Sequence, residues 1–262
     1  MKKYVIYLIT VAFALSAVFT ACKKDKEAKD VPVTGEEKGV VINGVRWATR
    51  NLDVGGVFVA KPEDYGALFQ WGRRADGHES RTSLAYPTND NSYENGVVNV
   101  SELDAYGQIP TTHAAYSKFV KQDAEPWDWR TPYDDALWNS GTESTPMKTT
   151  NDPSPAGWRV PTREELESLA DETYVTRKWT TQNGINGYRF TDKASGNFLF
   201  LPAADSRFCS NGSLDDTGLS GNYWSSTSAD FLRFFGGIFR VGYGSSQAHG
   251  CSVRCVAEKS EL

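Results

Sequence analysis

The sequence predicts an α+β domain of short, mainly antiparallel strands with one well-marked helix. Two observations support this prediction. Asn43-Gly44 stands between β-favouring residues in 40–47, which is the pattern of a tight β-hairpin. Thr162 is followed three residues later by Glu165, a capping box that predicts a helix start. Short strands with a single dominant helix are typical of an antiparallel α+β fold.

The N-terminal residues 1–21 are predicted to be a signal peptide. Lys2 and Lys3 give a positive start, and residues 4–19 carry no charge. This apolar run is shorter than the ~20 residues that a transmembrane helix needs, and small residues end it. We expect this peptide to be removed, and residues 22–38 to form a flexible charged linker. The alternatives are an uncleaved anchor, or plain secretion with a spare cysteine.

Residues 39–262 are predicted to form a single domain. A short strand is expected at 68–71, and residues 73–156 form a long, mostly irregular insertion with one helix near 112–122. After the capped helix come further strands and tight turns, placed by β-favouring residues and by glycine. They are expected at 188–191, 197–201, 222–227, 232–235, 238–241 and 252–257, with turns at Ser195-Gly196 and Gly236-Gly237.

The charge of the chain argues against nucleic-acid binding. The net charge is −5, and loss of Lys2 and Lys3 with the signal peptide leaves 26 basic residues against 33 acidic ones. Nucleic-acid binding needs a basic face that releases phosphate counterions, and no basic run lies beyond the N-terminal linker. Eight tryptophans make the chain rich in flat side chains, which serve either as core or as binding surface.

No metal or cofactor is expected. His78, His113 and His249 lack the spacing of a zinc site. Residues 89–91 and 215–216 offer oxygen atoms for calcium, but neither segment matches an EF-hand loop, and ordinary turns are expected. The sequence also contains no phosphate-binding loop, dinucleotide fingerprint or nucleophile elbow.

The segment 229–251 is the candidate ligand-binding surface, because it combines flat aromatic, Arg, Ser and Gly residues, as adaptable binding surfaces do. Alternation along the strand predicts Leu232 and Phe234 buried, with Arg233 and Phe235 facing outward. The alternative is that these are ordinary strand and loop residues. The candidate residues are Phe231, Arg233, Phe235, Phe239, Arg240, Tyr243, Ser245, Ser246, Gln247 and His249.

Six ordered blocks resemble the Fibrobacter succinogenes major paralogous domain family. They occupy residues 42–53, 65–71, 157–166, 201–204, 221–227 and 252–256. The resemblance implies a C-type-lectin-like fold on a secreted or surface lipoprotein, and no agreed activity. Some lectin-like proteins of this kind are diversified by retroelements near the C-terminus, which raises a diversified receptor as one form of the function.

Residues 19–22 resemble a bacterial lipobox, in which lipid is added to the cysteine and a dedicated peptidase cuts just before it, so the resemblance implies cleavage before Cys22. The resemblance implies that Cys22 holds the protein on a membrane of the cell envelope, with the outer membrane and the cell surface as expected locations. Two or three acyl chains would make this attachment nearly permanent, because each buried methylene adds about 0.8 kcal/mol.

With Cys22 set aside, three cysteines remain in the domain. If Cys251 and Cys255 share a strand, their Cα atoms are about 13 Å apart, and a disulfide spans at most about 7 Å. Many members of the resembled family have cysteine where this chain has Ser154, and that cysteine would be the partner of Cys255. Ser154 removes this partner. Cys209 could pair with either Cys251 or Cys255, and we expect a Cys209–Cys251 bridge with Cys255 as a buried free thiol.

Together these inferences predict an envelope lipoprotein, and no enzyme, that binds an extracellular glycan or protein. One alternative is a structural or adhesive component of a surface or pilus assembly. A second is an oxidoreductase similar to formylglycine-generating enzymes, which use two C-terminal cysteines. The Cys251–Cys255 spacing is one residue too short for that family. The oligomeric state stays open.

Overall fold

A computed structural model describes residues 36–88, 94–214, 216–235, 237–244 and 246–258, with only the backbone of Tyr243. These residues belong to one compact unit, Thr34–Leu262. The predicted signal peptide, Cys22 and the linker up to residue 35 lie outside the described residues. In the part of the chain that is described, no helix is both long enough and apolar enough to cross a membrane.

The described ranges are β-rich and mostly antiparallel, with one short α-helix, so they match the α+β prediction only loosely. The strands are β1 (Val40–Ile42), β2 (Val45–Trp47), β3 (Phe69–Gln70), β4 (Ala85–Tyr86), β5 (Val98–Asn99), β6 (Phe119–Val120), β7 (Arg130–Thr131), β8 (Trp158–Arg159), β9 (Val175–Gln182), β10 (Ile185–Asp192), β11 (Phe198–Pro202), β12 (Ser220–Trp224), β13 (Asp230–Phe235), β14 (Ile238–Gly244), β15 (Gly250–Cys251) and β16 (Val256–Ala257). The helices are α1 (Arg163–Ser168) and a 3₁₀ turn at Val100–Glu102.

Two local predictions are confirmed at the N-terminal hairpin and at the helix. Asn43 and Gly44 connect β1 to β2 with φ angles of 46° and 78°, as a two-residue hairpin turn requires. Thr162 caps α1 by accepting a hydrogen bond from the Glu165 amide, and Glu165 accepts one from the Thr162 amide. Leu166 is buried on the inner face of this one-and-a-half-turn helix.

The long segment 73–156 is largely irregular, as predicted, but the helix expected near 112–122 is absent. The amides of His113, Tyr116 and Lys118 each bond the carbonyl three residues back, and the chain then enters β6. A row of separate turns therefore replaces the i to i−4 ladder of an α-helix. The short strands of this segment pair in parallel, β4 with β6 and β5 with β7.

Two three-stranded antiparallel sheets follow α1, in the orders β11-β10-β9 and β12-β13-β14. The predicted strand at 188–191 is the middle of the longer β10, and the preceding strand β9, with its Asn183-Gly184 turn, was missed. The predicted strand at 252–257 is confirmed only at its end, where β16 lies. β15 pairs with β3, while β16 joins the sheet β1-β2-β16-β8, so Cys251 and Cys255 do not share a strand.

The domain has two clusters of buried apolar residues. The tryptophan core contains Trp71, Trp129, Trp138, Trp158 and Trp224, and residues of the 73–156 segment complete it. The hairpin core contains α1 residues and the inner faces of the two three-stranded sheets. Alternation along β12 sends Tyr223 to the hairpin core and Trp224 to the tryptophan core, so this sheet lies between the two clusters.

Candidate functional site

The β13–β14 hairpin carries the candidate site, and its side chains alternate as predicted. Leu232 and Phe234 are buried in the hairpin core, whereas Arg233 and Phe235 are exposed. The period-2 geometry of a strand is the cause, because successive side chains point to opposite faces. The prediction that Arg233 and Phe235 face outward is therefore confirmed.

A groove lies on the outer face of this hairpin. Arg233 stands directly opposite Arg240, and Phe235 stands opposite Ile238. These four side chains line an open cavity of about 200 Å³, which we name the arginine groove. Sequence reasoning missed Ile238. The Gly236-Gly237 turn could have identified it, because a two-residue turn places the residues on either side of it opposite each other.

The electrostatics of the arginine groove are positive. Like charges placed directly opposite on an antiparallel pair repel each other, and Arg233 and Arg240 are such a pair. None of the four lining residues is acidic. The positive charge of Arg233 also acts on His249. Burial lowers the pKa of His249, and the charge of Arg233 lowers it further.

Aromatic packing beneath the groove holds the hairpin in place. The ring centroid of Phe234 lies 5.1 Å from that of Tyr188 and 6.1 Å from that of Tyr223. The close approach needs Gly221, because a Cβ atom there would meet the Phe234 ring at 2.2 Å. Such contacts with a buried neighbouring sheet limit the movement of the strand that presents Arg233 and Phe235.

Three of the predicted binding residues do not face the groove. Phe231 is buried in the tryptophan core, with its ring edge-on to Trp224. Phe239 lies on the inner face of β14 and packs against Tyr188 and Phe190. Gln247 is buried, and its side-chain amide donates to Asp135. The tryptophan core covers one end of the sheet, and the register shifts between Phe231 and Arg233, so only the far end is open.

The remaining predicted residues lie beyond the hairpin or outside the described part of the chain. Ser246 donates its hydroxyl hydrogen bond to the carbonyl of Trp127 at 2.7 Å. His249 is half-buried, with its ring centroid 5.9 Å from that of Phe208. Tyr243 lies in β14 with only its backbone described, and Ser245 lies outside the described residues. The structure therefore gathers Arg233, Phe235 and Arg240 of the predicted set, and adds Ile238.

The cysteines correct the predicted disulfide. Cys209, Cys251 and Cys255 are all free and buried, so the expected Cys209–Cys251 bridge is wrong for this structure. Burial raises the pKa of all three thiols, most strongly for the fully buried Cys251 and Cys255. A buried thiol with a raised pKa is a poor nucleophile, because the thiolate is the reactive form.

One group of side chains has the composition of a metal site. Potential ligand atoms of Asp76, His78 and Glu79 lie within 4.8 Å of one another. These atoms already have protein partners: His78 Nε2 accepts from the Gln70 amide, and His78 Nδ1 lies 2.7 Å from Asp76. Asp76 also pairs with Arg73, whose charge holds the pKa of that carboxyl well below its usual range against the opposing effect of burial. We interpret this group as a structural network. Of the other metal candidates, residues 89–91 and 215 lie outside the described residues.

Comparison with known proteins returned no match: no protein family, no curated protein and no solved structure matches the chain.

Proposed function

We propose that this protein is a lipid-anchored binding protein of the bacterial envelope, whose lectin-like domain binds an extracellular glycan or protein. The arginine groove is the proposed binding surface. The observation that carries the proposal is the exposure of Phe235 and Ile238 next to the Arg233–Arg240 pair on a well-packed hairpin. Exposed apolar side chains grouped in one patch are typical of interaction sites.

The C-type-lectin-like fold is part of this proposal. Three of the family-like sequence blocks meet in a single sheet, where Val256 pairs with both Trp47 and Arg159. Within the block at 157–166, Thr162 caps the N-terminus of α1, which begins at Arg163. We propose that this packed scaffold holds a short surface segment in position for binding.

A second exposed Arg–Phe pair provides a contrast and a control. The guanidinium of Arg189 lies 3.6 Å from the centroid of the Phe198 ring on the β9–β11 sheet. The guanidinium of Arg189 therefore makes a cation–π contact with the Phe198 ring. In the arginine groove, Arg233 pairs across the hairpin with Arg240, and Phe235 pairs with Ile238.

The test is binding of the purified protein, in detergent, to glycan and protein arrays. We expect the Phe235→Ala/Ile238→Ala variant to lose binding, and the matched Phe198→Ala variant to bind like the wild type. Circular dichroism and thermal unfolding check that both variants fold. Equal binding by the wild type and the folded double variant would refute the proposed surface.

The anchor has its own test. We expect the wild type to incorporate labelled palmitate and to sediment with membranes, whereas Cys22→Ser should do neither. Lipid on Cys22 explains attachment because several acyl chains together bind a bilayer almost irreversibly. Unlabelled wild-type protein in the soluble fraction would contradict the proposed anchor and leave the binding surface unaffected.

The alternative of a structural assembly component has weaker support. Strand β9 pairs only with β10 among the described residues, so one of its edges is open to strand addition. However, β9 carries Arg177 and the exposed Lys178, and charged side chains on an edge strand discourage pairing with another chain. Co-purification of a stoichiometric bacterial partner would favour this alternative.

A further inference from the structure

We propose that the arginine groove binds an acidic sugar unit of a glycan, with its acid group between Arg233 and Arg240 and its ring against Phe235. This inference rests on the proposed function and specifies the ligand class of the same surface. It follows from three properties of the groove: charge, apolar surface and size.

The charge of the groove calls for an anion. Cβ atoms directly opposite on antiparallel strands are about 4.5–5.5 Å apart, so Arg233 and Arg240 hold two guanidinium groups within reach of one small ligand. A guanidinium presents a planar fork of donors that matches a carboxylate, and such charge-assisted hydrogen bonds are stronger than neutral ones. An acid group between the two arginines also relieves their mutual repulsion.

The apolar half of the groove calls for a ligand with a non-polar face. Phe235 is 39% exposed and Ile238 is 51% exposed at the tip of the hairpin. The face of an aromatic ring carries partial negative charge. The C–H groups on one side of a sugar ring carry partial positive charge, so they fit this surface. A free inorganic anion would leave Phe235 and Ile238 uncovered.

The size of the groove favours a glycan over an acidic protein segment. Its volume of about 200 Å³ is of the order of one monosaccharide unit. A stable protein interface buries about 800 Å² on each partner and involves roughly 20–30 residues a side. Four side chains on one hairpin tip fall far short of that area. A carbohydrate chain needs only one of its units to be seated in the groove.

The experiment compares matched acidic and neutral probes on the wild-type protein. The carboxylated probes are oligogalacturonate, hyaluronan oligosaccharides and sialyllactose, and the neutral ones are their carboxyl-reduced forms and lactose. Dextran sulfate against dextran tests whether a sulfate ester replaces the carboxylate. We expect at least one acidic probe to bind about tenfold or more tightly than its neutral counterpart, since hydrogen bonds to charged groups contribute about 1.5–3 kcal/mol.

Variants then locate the acid group. Arg233→Gln and Arg240→Gln should each weaken binding of that acidic probe about tenfold, and the lysine variants should lose less because they keep the charge. Arg189→Gln is the matched control and should bind like the wild type. The comparison of acidic and neutral probes uses only the wild type, so it stands even where a variant fails to fold.

The outcomes separate the two proposals. Equal binding of an acidic probe and its neutral form, or binding unaffected by either folded glutamine variant, would overturn the acidic-sugar inference alone. The same follows if poly-glutamate binds as tightly as the best acidic probe, or if only a protein ligand shows sensitivity to the groove variants. If no glycan or protein on the arrays binds in a groove-dependent way, both proposals are wrong.

Discussion

The Sγ atom of Cys255 lies 3.2 Å from the Oγ atom of Ser154 and donates a hydrogen bond to it across 101 positions of sequence. Ser154 and Cys255 are both buried. The carboxylate of Asp152 accepts a hydrogen bond from the backbone amide of Ser154. The geometry therefore places Ser154 where a disulfide partner of Cys255 would stand.

We predict that Ser154→Cys forms a disulfide with Cys255 and stabilises the domain. A bridge that closes a loop of about 100 residues removes unfolded-state entropy worth up to about 4.7 kcal/mol, and engineered bridges often deliver less. The unfolding temperature should rise by several degrees, and a reductant should abolish the gain. Mass spectrometry should show the loss of two hydrogens. The Ser154→Cys/Cys255→Ser double variant is the control, and a reductant-independent gain would contradict the bridge.

We predict that the three thiols of the native domain react slowly with an aromatic disulfide reagent. Cys209, Cys251 and Cys255 are buried, and burial raises their pKa. In denaturant, three thiols should react if lipid blocks Cys22 and four if it does not. Thr173→Cys supplies an exposed thiol that should react at once. Fast labelling of the native wild-type protein would refute the buried arrangement. A count of reactive thiols in denaturant that is two lower than expected would indicate a disulfide.

We predict that Glu165→Ala strongly destabilises the protein. Glu165 completes the capping box of α1 and pairs with Arg159, whose side chain is 4% exposed. Removing one partner of a buried ion pair costs about 3–5 kcal/mol, because the other charge stays buried.

Thr162→Ala should lower the free energy of unfolding by about 1 kcal/mol, because it removes the helix cap. The neighbouring Glu164→Ala, an exposed residue, should change the free energy of unfolding by less than about 0.5 kcal/mol. Denaturant unfolding measures all three, and similar losses for Glu164→Ala and Glu165→Ala would contradict the assigned role.

We predict that ionisation of the Asp128 carboxyl lowers the free energy of unfolding as the pH rises. Burial raises the pKa of this carboxyl to about 8. Between the ordinary pKa of 3.8 and about 8, the folded state binds the proton more tightly than the unfolded state does. Stability should therefore be fully present below about pH 4, fall through this range and level off above it.

The Asp128→Asn variant tests this pH dependence. It removes the titrating group, so it should unfold with a flatter pH profile and gain stability over the wild type as the pH approaches 8. Near pH 4 the two proteins should be similar in stability, because Asp128 is then protonated. Parallel profiles for the two proteins from pH 4 to 9 would show that Asp128 does not control this dependence.

Local signals in the sequence determined the turns and caps of this protein. The Asn43-Gly44 turn, the Thr162–Glu165 capping box and the alternation at 232–235 are all found as predicted. Each depends on backbone conformation and contacts within a few residues, so a short stretch of sequence contains the cause. Local sequence gave a wrong prediction at 112–122, where a series of separate turns replaces the expected helix.

The tertiary structure alone decided which part of the C-terminal segment is a surface. The sequence predicted both Phe231 and Phe235 as binding residues, and alternation places them on the same face of β13. Trp224 and the tryptophan core cover Phe231, whereas nothing in the described chain covers Phe235 to that extent. The contact between Ser154 and Cys255 is of the same kind. Burial depends on which distant segments pack together, and the sequence near a residue does not contain that information.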